Sequence, residues 1–124
     1  IDIEDRSYIE RQDLREDQAA HNRKTQRLAD VAALSHADGD YDILGPEDFT
    51  LTSTGTWQSP VTRATYPSGW KIVISPLNLG LKVTPRIKAQ EHTGDFIYWE
   101  GAVAVSGNQV SGSGYVELTG YLKE

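Results

Sequence analysis

Glu91, Glu100 and Glu117 are the residues of this chain best suited to chemistry. A carboxyl group held inside an apolar barrel keeps its proton to higher pH and can deliver it to an alkene or a carbonyl. Glu100 and Glu117 lie within two strand-like runs, Tyr98-Trp99-Glu100-Gly101-Ala102-Val103-Ala104-Val105 and Gly114-Tyr115-Val116-Glu117-Leu118-Thr119-Gly120-Tyr121. They are the candidate catalytic pair. The plainer alternative is that each glutamate lies on a wet sheet face, paired with Lys71, Lys82, Arg86 or Lys88. Around them the sequence is rich in rings. Trp57, Tyr66, Trp70, Tyr98, Trp99 and Tyr115, with Gln90 as a hydrogen-bonding amide, are candidate ligand-binding residues, because small-molecule pockets are mainly apolar with a few polar groups. The same rings also suit a core and its rim.

Other chemistries find little support. His21, His36 and His92 are scattered without metal-ligand spacing, so no metal site is expected. Gly112-Ser113-Gly114 is a turn rather than a nucleophile elbow entering a helix. No glycine loop precedes a helix to cradle phosphate, and no cofactor is expected.

The elements that must position these residues are strands. The two glutamate-bearing runs flank Ser106-Gly107-Asn108-Gln109-Val110-Ser111-Gly112-Ser113 and read as a β-hairpin, with Gln109-Val110 able to extend a strand on either side. Alternation puts Ile97, Trp99, Val103 and Val105 on one face and Tyr98 and Glu100 on the other. On the second strand Val116, Leu118 and Leu122 oppose Tyr115, Glu117, Thr119 and Tyr121. One face is aliphatic core. The other, with Ala102 and Ala104 between its acids and phenols, is either the wet side of the sheet or a cavity lining.

Upstream, Phe49–Trp57, Trp70–Ile74 and Leu79–Thr84 read as strands separated by Ser59-Pro60, Pro67-Ser68-Gly69 and Ser75-Pro76-Leu77-Asn78, and Thr93-Gly94-Asp95 turns into the hairpin. Short strands with such turns, and no helix after Leu34, indicate an all-β antiparallel barrel or sandwich over residues 35–124. Residues 1–34 read as a distinct, charged N-terminal region. Ile1–Asp5 fits a short edge strand. The stretch from Glu10 to Ala20 is built of helix formers without an apolar stripe, which suits a solvated helix or an arm. Leu28 to Leu34 fits a helical face or a short strand.

The chain has 124 residues, suited to one domain, and a net charge of −6, which disfavours nucleic acid and anionic membranes as partners. No apolar run approaches the ~20 residues of a transmembrane helix. Cysteine is absent, which leaves the compartment open. A soluble chain is expected, in the cytoplasm rather than exported. Methionine is also absent and residue 1 is isoleucine, so a processed chain or part of a longer protein is expected.

Five segments occur together and in order: Gly45-Pro46-Glu47-Asp48-Phe49-Thr50-Leu51, Gly55-Thr56-Trp57-Gln58-Ser59-Pro60, Tyr66-Pro67-Ser68-Gly69-Trp70-Lys71-Ile72, Tyr98-Trp99-Glu100-Gly101-Ala102-Val103 and Gly114-Tyr115-Val116-Glu117-Leu118-Thr119-Gly120-Tyr121. Together they resemble the C-terminal domain of the lipocalin-like AttH/CrtC family, which includes carotenoid hydratases and is distantly related to lipocalin-like Diels–Alder cyclases. The resemblance implies a calycin-type β-barrel, a companion domain of similar fold, and long, apolar, unsaturated substrates such as isoprenoids or polyketide polyenes. The chemistry it implies is acid-assisted hydration of an alkene, or cyclisation by holding a reactive conformer. It places no catalytic residue, and Ala89 stands where family members often carry an acid.

Three functions are therefore expected in competition. The first is an enzyme, a hydratase or cyclase acting on a hydrophobic small molecule. The second is a non-catalytic lipocalin-like binding protein. The third is a half-domain that completes its fold as a homodimer or with a missing companion domain.

Overall fold

The computed structural model describes residues 2–3, 8–13, 30–35, 38–108 and 110–122, with side chains described from residue 38 onward. The fold is all-β, with twelve strands: β1 (Asp2–Ile3), β2 (Tyr8–Asp13), β3 (Asp30–Ser35), β4 (Tyr41–Leu44), β5 (Phe49–Ser53), β6 (Thr56–Gln58), β7 (Thr65–Pro67), β8 (Trp70–Ile74), β9 (Leu79–Pro85), β10 (Glu91–Thr93), β11 (Ile97–Gly107) and β12 (Val110–Thr119). The sole helical element among the described residues is a 3₁₀ turn at Ser75–Leu77, where Pro76 and left-handed Asn78 (φ 49°) reverse the chain.

Ten strands form one antiparallel sheet in the order β4-β3-β2-β1-β12-β11-β9-β8-β5, with β10 pairing β11 beside β9. The strands at the two ends of this path, β4 and β5, are consecutive in sequence. They are joined by a four-residue turn in which Asp48 N donates to Gly45 O (3.0 Å) and Gly45 N to Asp48 Oδ2 (2.9 Å). So short a link brings the ends of the path together, and the sheet must curl round as a barrel does. No ladder joins β4 to β5 among the described residues, so the curl is open along that seam.

The N-terminal region departs from expectation. The helix anticipated from Glu10 onward is strand at residues 10–13, where β2 pairs β3 from Tyr8↔Ser35 to Asp13↔Asp30. Residues 14–29 lie outside the described residues. Helix propensity is a weak local preference that ladder pairing overrides. Nor is the first segment an edge: β1 lies between β2 and β12, with Ile3↔Gly112 in register.

The core follows the alternation of the strands. In β8, Trp70, Ile72 and Ile74 are buried, and in β11 Trp99, Val103 and Val105 are. Leu81 and Val83 of β9 continue this face between them, and Leu44 and Phe49 close it at the seam. Trp70 and Trp99 meet edge-on with centroids 6.5 Å apart, a contact worth about 0.5–1.5 kcal/mol beyond area burial. β12 runs the length of β11, from Tyr98↔Thr119 to Gly107↔Val110, so the hairpin is longer than the two apolar runs alone suggest. Gly120, at φ 83°, then turns the chain. Tyr121 thereby leaves the Tyr115/Glu117/Thr119 face expected for it and packs on core residue Tyr66 with centroids 5.6 Å apart.

Candidate functional site

β11 has a divided flank. β9 pairs it from Leu81↔Gly107 to Pro85↔Val103, and β10 resumes in the same direction from Glu91↔Trp99 to Thr93↔Ile97. Between these ladders, Arg86–Gln90 carries more residues than the Glu100–Ala102 segment it faces, so the chain bulges out. Bulges are enriched beside active sites because they re-aim side chains. This one is pinned at three points. Arg86 N donates to Ala102 O (2.9 Å), Glu100 N to Gln90 O (3.3 Å) and the Trp99 indole Nε1 to Lys88 O (2.7 Å). The Trp99 ring folds beneath Gly101, where a Cβ would lie 3.1 Å from Trp99 Cη2 and 3.2 Å from Gln90 Cγ. The Trp-Glu-Gly sequence thus lets the indole reach the bulge while Glu100 projects from the opposite face.

On that outer face, ladder pairing gathers five polar and aromatic side chains. Glu100 and Glu117 are directly opposite one another, Tyr115 is opposite Ala102, and His92 is opposite Tyr98. The His92 imidazole stacks on the Tyr98 ring (centroids 4.7 Å, interplanar angle 7°), and its Nε2 lies 3.8 Å from Glu100 Oε1. Tyr115 and Glu100 are diagonal neighbours across the β11–β12 ladder. Local desolvation pushes the Tyr115 phenol up, and the charges of Glu100 and Glu117 push it further, so it keeps its proton and acts as a donor. Tyr115 is 60% exposed, and this face is open to solvent. No lysine or arginine pairs with Glu100 or Glu117 among the described residues; the basic side chain beside Glu100 is His92. The set holds two carboxylates, a phenol donor and an imidazole, which are the side-chain types of general acid–base chemistry. No group of three metal-ligating side chains converges among the described residues.

The core side of β10 holds a different arrangement. Glu91 accepts hydrogen bonds from Ser59 Oγ (2.5 Å), Thr62 Oγ1 (2.6 Å) and the Tyr66 hydroxyl (2.7 Å). These donors come from the separate β6–β7 hairpin and its tip, where Ser59 N donates to Ala64 O (2.8 Å) and Arg63 takes a left-handed φ of 66°. Ser59 and Tyr66 are each 1% exposed. Burial pushes the Glu91 carboxyl up, but the three donated hydrogen bonds outweigh it and hold the group below the usual carboxylate range. Burial and the neighbouring carboxylate push the Tyr66 phenol well above its ordinary value. With its donors arranged this way Glu91 is an ionised anchor.

Of the residues selected from sequence, Glu100, Glu117, Tyr98 and Tyr115 come together on the outer face. Trp57, Tyr66, Trp70 and Trp99 lie on the core side, where Trp57 stacks on Tyr66 (6.0 Å) and Trp70 meets Trp99. Gln90 is half-buried at the bulge, its carbonyl engaged by Glu100 N. The acids and the tryptophans are therefore on opposite sides of one sheet. Sequence alone offers His92 as a metal ligand and Glu91 as one acid among three. The signal for His92 lies in loop length: a hairpin with the three-residue loop Gly94-Asp95-Phe96 places residue 92 opposite residue 98. The Glu91 cage joins residues 25 to 32 positions apart, and no local pattern announces it.

Comparison with known proteins bears on both fold and site. Residues 10–121 match a family model described as AttH-like. The crystal structure of a protein assigned as an AttH from Nitrosomonas europaea is similar, with a TM-score of 0.78 and 29% identity over 98% of this chain and 36% of that one. Kievitone hydratase from Nectria haematococca is similar over 73% of this chain and 30% of its own, with a TM-score of 0.61 and 28% identity. The chain spans about a third of the length of these structures. No curated protein matches it. The match over residues 10–121 and the shared antiparallel fold establish that the chain belongs to the AttH-like family.

Proposed function

We propose that this chain is a domain of a hydratase-type enzyme whose acid–base groups are His92, Glu100, Tyr115 and Glu117. The observation that carries the reading is the contact chain Tyr98–His92–Glu100, with Glu117 opposite Glu100 and Tyr115 diagonal to it, on a face left open by the fold. The similarity to kievitone hydratase supports water addition as the reaction class. In this reading His92, as imidazolium, delivers a proton to one alkene carbon. Water adds to the other, cationic carbon, and Glu117 or Glu100 takes the water's surplus proton, leaving an alcohol. The Tyr115 phenol donates a hydrogen bond to a substrate oxygen or to the carboxylate. The substrate is an extended, apolar, unsaturated molecule of isoprenoid or polyene type. It lies between this open face and a companion domain of similar fold, in keeping with the greater length of the structural relatives.

The test is incubation of the purified protein with an acyclic carotenoid and with shorter isoprenoid alkenes in ¹⁸O-labelled water. Mass spectrometry is expected to detect an alcohol carrying one labelled oxygen. Glu100→Gln and Glu117→Gln are each expected to lower turnover by about 10²–10⁴-fold, the usual contribution of a general acid or base. Unchanged turnover in both variants would sink the acid–base assignment. A bound, unmodified alkene in native mass spectrometry, without product, would make the protein a binder.

A further inference from the structure

We propose that Glu91 is a positioning residue for His92: the hydroxyl cage around its carboxylate fixes β10 from the core side and so holds the imidazole on Tyr98 and beside Glu100. The inference rests on the acid–base reading of the outer face and adds to it the device that sets the geometry of the imidazole.

Little else holds β10. It is three residues long and, among the described residues, pairs only with β11. On its N-terminal side the Arg86–Gln90 bulge, though pinned through Arg86 N, Lys88 O and Gln90 O, carries more residues than the segment it faces, so the register of β9 alone does not dictate that of β10. On its C-terminal side residues 94–96 connect it to β11. Left-handed residues are what lock short hairpin loops, and Gly94 is not among the glycines of positive φ. A slip of one residue would turn every side chain of the strand to the other face, carrying His92 into the core and Glu91 out of it.

What opposes that slip is the Glu91 carboxylate. Its two oxygens accept three hydroxyl bonds of 2.5–2.7 Å from Ser59, Thr62 and Tyr66. The cage is itself anchored: the buried Ser59 Oγ also accepts from Val61 N and Thr62 N (3.1 Å each), and the Tyr66 ring is held between Trp57 and Tyr121. Because neighbouring strand residues point to opposite faces, fixing Glu91 inward fixes His92 outward, opposite Tyr98. No bond need run from Glu91 to the reacting groups; the strand transmits the constraint.

The experiment reads the imidazole directly. The chain has three histidines, and His92→Gln identifies which carbon-bound imidazole proton signal belongs to His92. In the native protein that signal is expected upfield, shielded by the stacked Tyr98 ring. In Glu91→Gln it is expected to move to the free-histidine position, with the methyl signals of Val103 and Val105 unmoved. Ser59→Ala and Tyr66→Phe, each removing one donor, are expected to give partial shifts in the same direction, and they carry the test if Glu91→Gln does not fold. A His92 signal that keeps its upfield position in all folded variants overturns the inference. Turnover separates this failure from failure of the acid–base reading. A displaced His92 with unchanged turnover leaves the positioning intact and removes the imidazole from the mechanism. Lost turnover with an undisplaced His92 does the reverse.

Discussion

Tyr66→Phe deletes one oxygen from the Glu91 cage and leaves the ring stack untouched. The phenol is 1% exposed and donates to Glu91 Oε2 at 2.7 Å, so water cannot readily replace it. Each carboxylate oxygen keeps one donor, Ser59 on Oε1 and Thr62 on Oε2, so the loss is one hydrogen bond to a charged acceptor, about 1.5–3 kcal/mol. At about 4 °C per kcal/mol for a domain of this size, Tm should fall by roughly 6–12 °C. The loss must also depend on pH. Glu91 has its folded pKa depressed, so its contribution is complete above the unfolded carboxylate value and disappears as pH falls through the folded one, where the unfolded state binds the proton first. The native-minus-variant difference, from urea unfolding followed by tryptophan fluorescence, should therefore be largest near neutrality. Below about pH 4.3, the reference value for glutamate, it should shrink towards that of a neutral bond. A difference under about 0.5 kcal/mol at neutral pH, or one constant with acidification, would refute the charged-anchor account.

Two further outcomes test the sheet. Gly107→Ala sets a methyl group against the Gly80 carbonyl and within 2.9 Å of Leu81 Cδ2, and should destabilise by about 1–3 kcal/mol; Gly80→Ala meets nothing within 4 Å and should stay within about 0.5 kcal/mol in the same urea assay. Glu117→Gln relieves the like charges opposed across β11 and β12 and should raise stability by about 0.2–1 kcal/mol at low salt, with the gain fading as salt is added; a loss of stability would mean that Glu117 has a favourable partner.

Most strands from Phe49 onward were legible because each condition for reading them was local; Phe49–Trp57, expected as one strand, is instead divided between β5 (Phe49–Ser53) and β6 (Thr56–Gln58), which lie in different sheets. Trp70-Lys71-Ile72-Val73-Ile74 alternates, and Pro67-Ser68-Gly69 and Ser75-Pro76-Leu77-Asn78 bound it. The outer face was legible as chemistry, since alternation alone puts Tyr98 with Glu100 and Tyr115 with Glu117; its openness to water depends on what covers the sheet, which no strand encodes. β2 was illegible because Glu10-Arg11-Gln12-Asp13 has no alternation of its own and becomes strand by pairing with Ala32, Ala33 and their neighbours. Tyr121 was misplaced because period-two counting cannot foresee a left-handed glycine at position 120.

The sheet path has one more consequence, for the order of assembly. Read from β5, it runs β5-β8-β9-β11-β12-β1-β2-β3-β4: each strand neighbours the next one present in chain order, except at the junction of β12 with β1. Every other pairing closes a comparatively short loop, whereas Asp2↔Ser113 and Ile3↔Gly112 tie together residues almost the whole chain apart. Loop-closure entropy weighs most on that contact, and it rests on a two-residue strand. The meander from β5 to β12 and the ribbon from β1 to β4 are therefore units that form locally, and their junction is the last ladder to close and the first to open.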